Sequence, residues 1–255
     1  MKGAVVVACG VLGTALIGWA LRTESKPAPP DGSARSEGFA VIELFTSEGC
    51  SSCPPADENL ARLIGDAKGR RVIALGWHVD YWDRLGWKDP FSDPSATARQ
   101  RAYAAAWESR RIYTPQMVVN GITEFVGSAG GQADRAVAEA LAKAGTVALT
   151  ATARPGEGRD WAVTWAVEGA PEGCEVLVAL TQDDRVTQVP RGENRGRTLR
   201  HEGVVRAFAT APAAPGKGVL ILGAPADVGP DGVHLIALVQ HRKTMGILAA
   251  IEVAR

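Results

Sequence analysis

Two cysteines separated by two residues, Cys50-Ser51-Ser52-Cys53, sit where an apolar run turns into a helical pattern. Ala40-Val41-Ile42-Glu43-Leu44-Phe45 precedes them. Pro54-Pro55 follows, and then Leu60, Leu63 and Ile64 recur at helical spacing. This arrangement predicts strand, tight turn, helix, with the sulfurs at the helix start. The first amides of a helix lack intrahelical partners and carry partial positive charge, so a thiolate there is stabilised. Prolines are tolerated in that first turn, where a missing N–H costs little. Cys50, on the loop side, is expected to be the exposed nucleophile, and Cys53, one turn in, the resolving thiol. The same spacing also suits half of a zinc site or a structural disulfide. A structural zinc site needs four ligands, and no second Cys pair follows. The strand–helix context favours the redox reading.

The remaining cysteines are Cys9, in an apolar N-terminal run, and Cys174, a singleton at an expected strand start. Met1-Lys2 followed by the apolar stretch 4–21 reads as an export signal, either cleaved or kept as a membrane anchor. Lipid attachment at Cys9 is a third option, disfavoured because the apolar stretch before it is short. Export places the folded part in a periplasmic or secreted, oxidising setting, where a C-x-x-C pair rests as a disulfide. Residues 22–38, rich in proline, read as a flexible linker.

Beyond the linker the pattern divides. Over 39–145 the order reads β-α-β-α-β-β-α. Strands are expected at Ala40–Thr46, Arg71–Val79, within Arg111–Val119 with Pro115 at the strand's head, and at Ile122–Val126. Helices are expected at Pro54–Ile64, Ser95–Trp107 and Gln132–Ala144. Asn120-Gly121 is a strong hairpin signal. That order, with Pro115 opening the third strand, predicts an α/β thioredoxin-like domain. Over 146–255 the apolar residues alternate, as in Trp161, Val163, Trp165 and Val167, between Gly/Pro turns. This predicts a following all-β sandwich-like domain.

Other residues can carry chemistry. In the expected fold Thr114-Pro115 is a cis pair beside the sulfurs, with Thr114 facing a bound substrate chain; an ordinary trans proline is the alternative. His78, at the end of the second strand, is a candidate proton shuttle for Cys53. It is also a candidate third metal ligand with Cys50 and Cys53, which would make a copper-handling site. A hydrogen-bonded strand-end histidine is the plainer reading. Trp77, Tyr81, Trp82, Trp87 and Phe91 are expected to cover the site or the seam between domains. The basic stretch Arg191–His201 reads as an anion grip, a docking element or a solvated hairpin tip. Lys+Arg equals Asp+Glu at 28 each, so charge gives no reason to expect a nucleic-acid partner.

Several motifs together carry a resemblance. They are Glu43-Leu44-Phe45-Thr46-Ser47 leading into Cys50-Ser51-Ser52-Cys53-Pro54-Pro55-Ala56-Asp57, His78-Val79-Asp80-Tyr81-Trp82-Asp83, Gly86-Trp87-Lys88-Asp89-Pro90-Phe91, Arg99-Gln100-Arg101-Ala102-Tyr103 and Tyr113-Thr114-Pro115-Gln116. From about Phe39 onward the chain resembles the secreted bacterial family known as domain of unknown function 1223. The resemblance implies a thioredoxin-like domain fused to a β-rich one and brings no established substrate. The functional expectation is an exported thiol–disulfide oxidoreductase, without cofactor, acting on protein or small-molecule disulfides of the cell envelope. The alternatives are a copper-binding protein using Cys50, Cys53 and His78, and a non-catalytic interaction protein with a structural disulfide.

Overall fold

The computed structural model describes residues 38–214, 216–229 and 232–254. The expected signal or anchor, its Cys9 and nearly all of the linker therefore lie outside the described residues. Thirteen strands are named in chain order among the described residues. Those used below are β1 (Ala40–Thr46), β2 (Val72–His78), β3 (Gln116–Val119), β4 (Thr123–Val126), β5 (Ala148–Pro155), β6 (Asp160–Glu168), β7 (Cys174–Gln182), β8 (Arg185–Gln188), β9 (Thr198–His201), β10 (Val204–Pro212), β11 (Lys217–Gly223), β12 (Val233–His241) and β13 (Ile247–Glu252). The α-helices are α1 (Pro54–Gly65), α2 (Pro94–Ala106) and α3 (Gly130–Leu141), with a 3₁₀ helix over Asp80–Leu85.

The order of elements up to α3 follows the sequence pattern, but the fold does not. Eight strands form one mixed sheet in the order β13-β12-β7-β10-β2-β1-β3-β4. β1 runs parallel to β2 and antiparallel to β3, and β2 pairs in parallel with β10 on its other edge. The expected thioredoxin-like α/β domain with a separate all-β sandwich-like domain is therefore overturned. Strands of the second half complete the sheet begun by the first, giving a largely β architecture. A three-stranded sheet, β11-β6-β5, and a two-stranded ribbon, β8-β9, accompany it.

Strand alternation explains how the layers close, because successive side chains point to opposite faces. In β1 the even positions Ala40, Ile42 and Leu44 pack with Leu60 and Leu63 of α1 and Ala133, Ala136 and Val137 of α3. The odd positions Val41 and Phe45 pack with Leu75 and Trp77 of β2, Ala96 and Tyr103 of α2, and Leu177 and Leu238 further along the sheet. Val176, Val178, Leu235 and Ala237 face Leu149, Val163, Trp165 and Val167 of the small sheet. β7 and β12 are thus covered on both faces, so their apolar residues run on rather than alternate. β6 alternates as its sequence predicts, with Val163, Trp165 and Val167 buried and Thr164 and Ala166 exposed.

Local signals hold where the chemistry is local. Asp93 caps α2, its Oδ1 accepting from Ser95 N at 2.8 Å. Asn120 and Gly121 both take positive φ, 49° and 68°, as a tight β3–β4 hairpin requires. Cys174 opens β7 as a buried free thiol within the apolar core, matching its reading as a small apolar residue.

The α2 face of the sheet holds a charged residue from a strand interior. Glu43 of β1 is wholly buried. Its Oε1 accepts from Trp77 Nε1 at 2.8 Å and from Arg99 Nε at 2.5 Å. Its Oε2 accepts from Arg99 Nη2 at 3.1 Å and from the Tyr103 hydroxyl. Gln240 of β12 accepts from Arg99 Nη1 at 3.1 Å and donates to Tyr103 Oη at 3.1 Å. This network joins β1, β2, α2 and β12, which lie up to 197 positions apart in sequence. Burial raises the Tyr103 hydroxyl well above its ordinary value, and the neighbouring Glu43 carboxylate adds to the shift. Removing one member of a buried ion pair strands the other. Arg99→Ala is expected to cost about 3–5 kcal/mol in urea unfolding. Glu43→Gln strands the buried Arg99 guanidinium and should cost about as much, whereas removing both charges in Glu43→Gln/Arg99→Met should cost less than the two single losses added. Strictly additive costs would contradict the pairing.

Candidate functional site

β1 delivers the turn Ser47–Cys53, and α1 leaves from it. Cys50 and Cys53 form a disulfide. The turn is tied by its own backbone: Cys50 N donates to Ser47 O and Cys53 N to Cys50 O, both at 3.1 Å. Cys53 is the N-cap of α1, with Pro54 and Pro55 in the first turn, so it stands at the helix start rather than one turn inside. The expectation of an exposed Cys50 is corrected: Cys50 and Cys53 are each 0% exposed, although Ser51 and Ser52 between them are open to solvent.

The second half of the chain also contacts this turn. The loop 189–197 joins β8 to β9 and lies against the turn. Asn194, 1% exposed, donates through Nδ2 to Glu48 O at 2.8 Å and to Cys50 O at 2.9 Å. Glu193 Oε2 accepts from Ser51 N at 3.0 Å, which holds its carboxyl below the usual range. The stretch Arg191–His201 thus contacts the turn through Glu193, Asn194 and His201.

Beneath the turn lies a buried cluster of ionisable groups: Glu48, Asp57, His78, Asp89 and His201. Asp89 Oδ2 pairs with His78 Nδ1 at 2.7 Å and accepts from Glu48 N at 2.9 Å, while its Oδ1 accepts from Phe91 N at 2.8 Å. Burial pushes the Asp89 carboxyl up, but the His78 imidazole and these amides outweigh it and hold it below its ordinary value. His78 is therefore engaged by Asp89. Its Nε2 has no hydrogen-bond partner among the described residues, and its ring meets the edges of Phe91 and His201.

His201 ends β9 and reaches two carboxylates. Its Nε2 lies 3.3 Å from Glu48 Oε1 and its Nδ1 3.6 Å from Asp57 Oδ1. Both are ion-pair contacts longer than an ordinary N–H···O hydrogen bond. Burial would lower the imidazole, but the two carboxylates more than reverse this and raise it to about 10. Trp87 Nε1 donates to the other oxygen of Glu48 at 2.8 Å, and Thr46 Oγ1 to the other oxygen of Asp57 at 3.2 Å.

Thr114-Pro115 is a cis peptide. Gln100 of α2 positions it, donating from Nε2 to Tyr113 O at 2.7 Å and to Gln116 Oε1 at 2.9 Å. Trp82 links this bend to the disulfide turn. Its Nε1 donates to Thr114 Oγ1 at 2.8 Å, and its Cβ packs so near Gly49 that a side chain there would stand 3.1 Å away. Pro115 and Ala56 of α1 likewise both abut Gly127. Of the aromatic residues named from sequence, Trp82 and Trp87 reach this region by direct hydrogen bonds and Phe91 by edge contacts with the histidines, Tyr81 bonds Gln100, and Trp77 belongs to the Glu43 network on the α2 face.

Trp82 and Gly127 connect the Thr114-Pro115 bend to the disulfide turn and to the start of α1. The structure does not assemble the copper set: the sulfurs are bonded to each other, and His78 is held by Asp89. Among the described residues no group of three or more His, Cys, Asp or Glu side chains is arranged to hold a metal ion. Asn194, Glu48, Asp57 and His201 are the residues whose roles sequence reasoning missed. His201 and Asn194 fall in the basic stretch already singled out, but no spacing rule ties them to residues 150 positions earlier.

His201 gives the site a definite pH signature. Its folded value near 10 lies above the unfolded value of 6.5. Its contribution to stability is therefore full below pH 6.5 and is lost as pH rises through about 10. The oxidised protein is expected to lose on the order of a few kcal/mol across that window in urea unfolding. His201→Gln should flatten the slope and be more destabilising at pH 6 than at pH 10. A wild-type profile flat from pH 6 to 10 would contradict the pairing.

Comparison with the curated proteins finds no match. Among solved structures, a structural-genomics crystal structure of a protein from Agrobacterium tumefaciens is similar at 28% identity and a TM-score of 0.60. That alignment covers 84% of this chain and 93% of that one. The structure of HBP35 of Porphyromonas gingivalis is similar in fold, with a TM-score of 0.61 at 15% identity over 85% of this chain and 75% of that one. The sequence profile of one family, described as protein of unknown function (DUF1223), matches residues 41–240. With most of its length so matched, the chain belongs to that family.

Proposed function

We propose that the protein is an exported thiol–disulfide oxidoreductase that uses the Cys50–Cys53 pair. The observation that supports this most is the buried ionisable cluster beneath the disulfide turn. A disulfide serving only as a staple needs apolar packing and correct geometry. Five buried titratable side chains beside one are costly unless paired, and Glu48 Oε1, His78 Nε2 and both His201 nitrogens still lack hydrogen bonds. Perturbed groups gathered in this way are a common mark of a working site.

In the proposed reaction a partner thiolate attacks one sulfur of the oxidised pair. A mixed disulfide forms, and the other cysteine leaves as a thiolate, which takes up a proton. A second thiolate of the partner then attacks the mixed disulfide. The partner gains a disulfide and the protein is left with two thiols, so two electrons have moved to it. The reverse sequence reduces a partner. Held protonated at neutral pH by Glu48 and Asp57, the His201 imidazolium supplies positive charge to the cluster, and His78, whose Nε2 has no hydrogen-bond partner among the described residues, is the candidate proton shuttle. Partners on this reading are protein or small-molecule thiols and disulfides of the cell envelope, the N-terminal segment providing export.

Full burial of both sulfurs favours a second reading, a structural disulfide in an interaction protein. Oxidative refolding of a reduced substrate protein separates the two. Turnover that Cys50→Ser lowers at least a hundredfold supports the oxidoreductase. Absence of turnover in either direction, with the variant merely less stable, supports the staple.

A further inference from the structure

The loop 189–197 is built as a closed unit. Gly196 N donates to Val189 O at 2.7 Å, Val189 N to Arg197 O at 2.9 Å, and Arg197 N to Asn194 O at 3.0 Å. Arg197 Nη1 donates to Asn194 Oδ1 at 3.1 Å. That bond turns the amide so that its NH2 faces the disulfide turn, where both neighbours are carbonyl oxygens. Glu193 adds an acceptor for Ser51 N, and Gly192 lies against Trp87. The contacts that reach the sulfur-bearing turn from the second half of the chain thus include one buried side chain, Asn194, with two well-formed hydrogen bonds.

We propose that residues 189–197 are an internal cover over the Cys50–Cys53 disulfide, latched by Asn194, and that the pair reacts only after this loop lifts. The chemistry follows from the burial. A nucleophile must approach a sulfur along the S–S axis, and sulfurs with no exposed surface offer no approach. The segment most able to move is a connection on the surface, not β1 or α1, whose apolar faces are locked in the core. Lifting it frees two backbone carbonyls, Glu48 O and Cys50 O, and one amide, Ser51 N. A polypeptide backbone carries the donors and acceptors to replace them, so the exposed turn suits a protein partner. The proposal deepens the oxidoreductase reading by assigning its access control, but the cover itself does not require turnover.

The test is the rate of reduction by the phosphine TCEP, applied to the full oxidised protein in native buffer. The phosphine attacks one sulfur, the S–S bond breaks, and hydrolysis leaves two thiols and a phosphine oxide, so no protein partner is needed. Alkylation and peptide mass spectrometry read the freed Cys50 and Cys53. In the same sample the buried free thiol of Cys174, in the other core, reports global opening. Asn194→Ala is expected to speed reduction at least tenfold with Cys174 labelling unchanged. Asn194→Asp, nearly isosteric but without the amide donors, is expected to do the same and serves where the alanine variant does not fold. An unchanged rate, or a rise matched by Cys174, overturns the proposal. Because TCEP bypasses any partner, a failed cover leaves the turnover result standing, and absent turnover leaves the cover standing.

Discussion

The close approach of β2 and β10 is the constraint on which the site depends. Val204 pairs with Gly76, and Gly76 N donates to Gly203 O at 2.7 Å. A Cβ on Gly76 would stand 3.1 Å from Glu202 O, and one on Gly203, whose φ is +60°, would stand 2.7 Å from Ala74 O. Glycine at both positions lets the backbones meet and supplies the left-handed turn at Gly203. This contact merges strands from the two halves of the chain into one sheet. Because β9 and the loop 189–197 immediately precede it, the contact also carries His201 and Asn194 onto the disulfide turn.

The consequence for chemistry is that the first half alone does not complete the site. It supplies the disulfide, Asp57, Glu48, the His78–Asp89 pair and the cis bend at Thr114-Pro115. The second half supplies the charge that balances Glu48 and Asp57, and the amide that closes the turn from outside. The Glu43–Arg99–Tyr103–Gln240 network fastens the same two halves a few strand positions away, on the α2 face. Burying Glu43 without Arg99 would cost far more than the pair contributes, so the network specifies the arrangement more than it stabilises it.

Much of this was legible in the sequence wherever the cause was local. The strand–turn–helix around Cys50 and Cys53, the cap at Asp93, the Asn120-Gly121 hairpin and the alternation in β6 each rest on residues within a few positions of one another. The fold departs from the sequence pattern because its deciding contact is a short pairing between residues 128 positions apart. One signal was present. Val176-Leu177-Val178-Ala179-Leu180 and Leu235-Ile236-Ala237-Leu238-Val239 are apolar at every position, the pattern of strands covered on both faces and not of a two-sheet sandwich with a wet side. Burial of Cys50 is not legible for the same reason: Asn194, which bonds its carbonyl, lies 144 residues away.

The central claim is that the loop 189–197 and the disulfide turn open together while the core stays closed. Hydrogen exchange of the oxidised protein, read at the amides of residues 50–53 and 189–197, measures this most directly. The account predicts that Ser51 exchanges at the same opening rate as the amides of the loop, faster by orders of magnitude than those of β1 and β7. A Ser51 amide that stays protected while the loop exchanges freely, or one that exchanges only with the core strands, would contradict it.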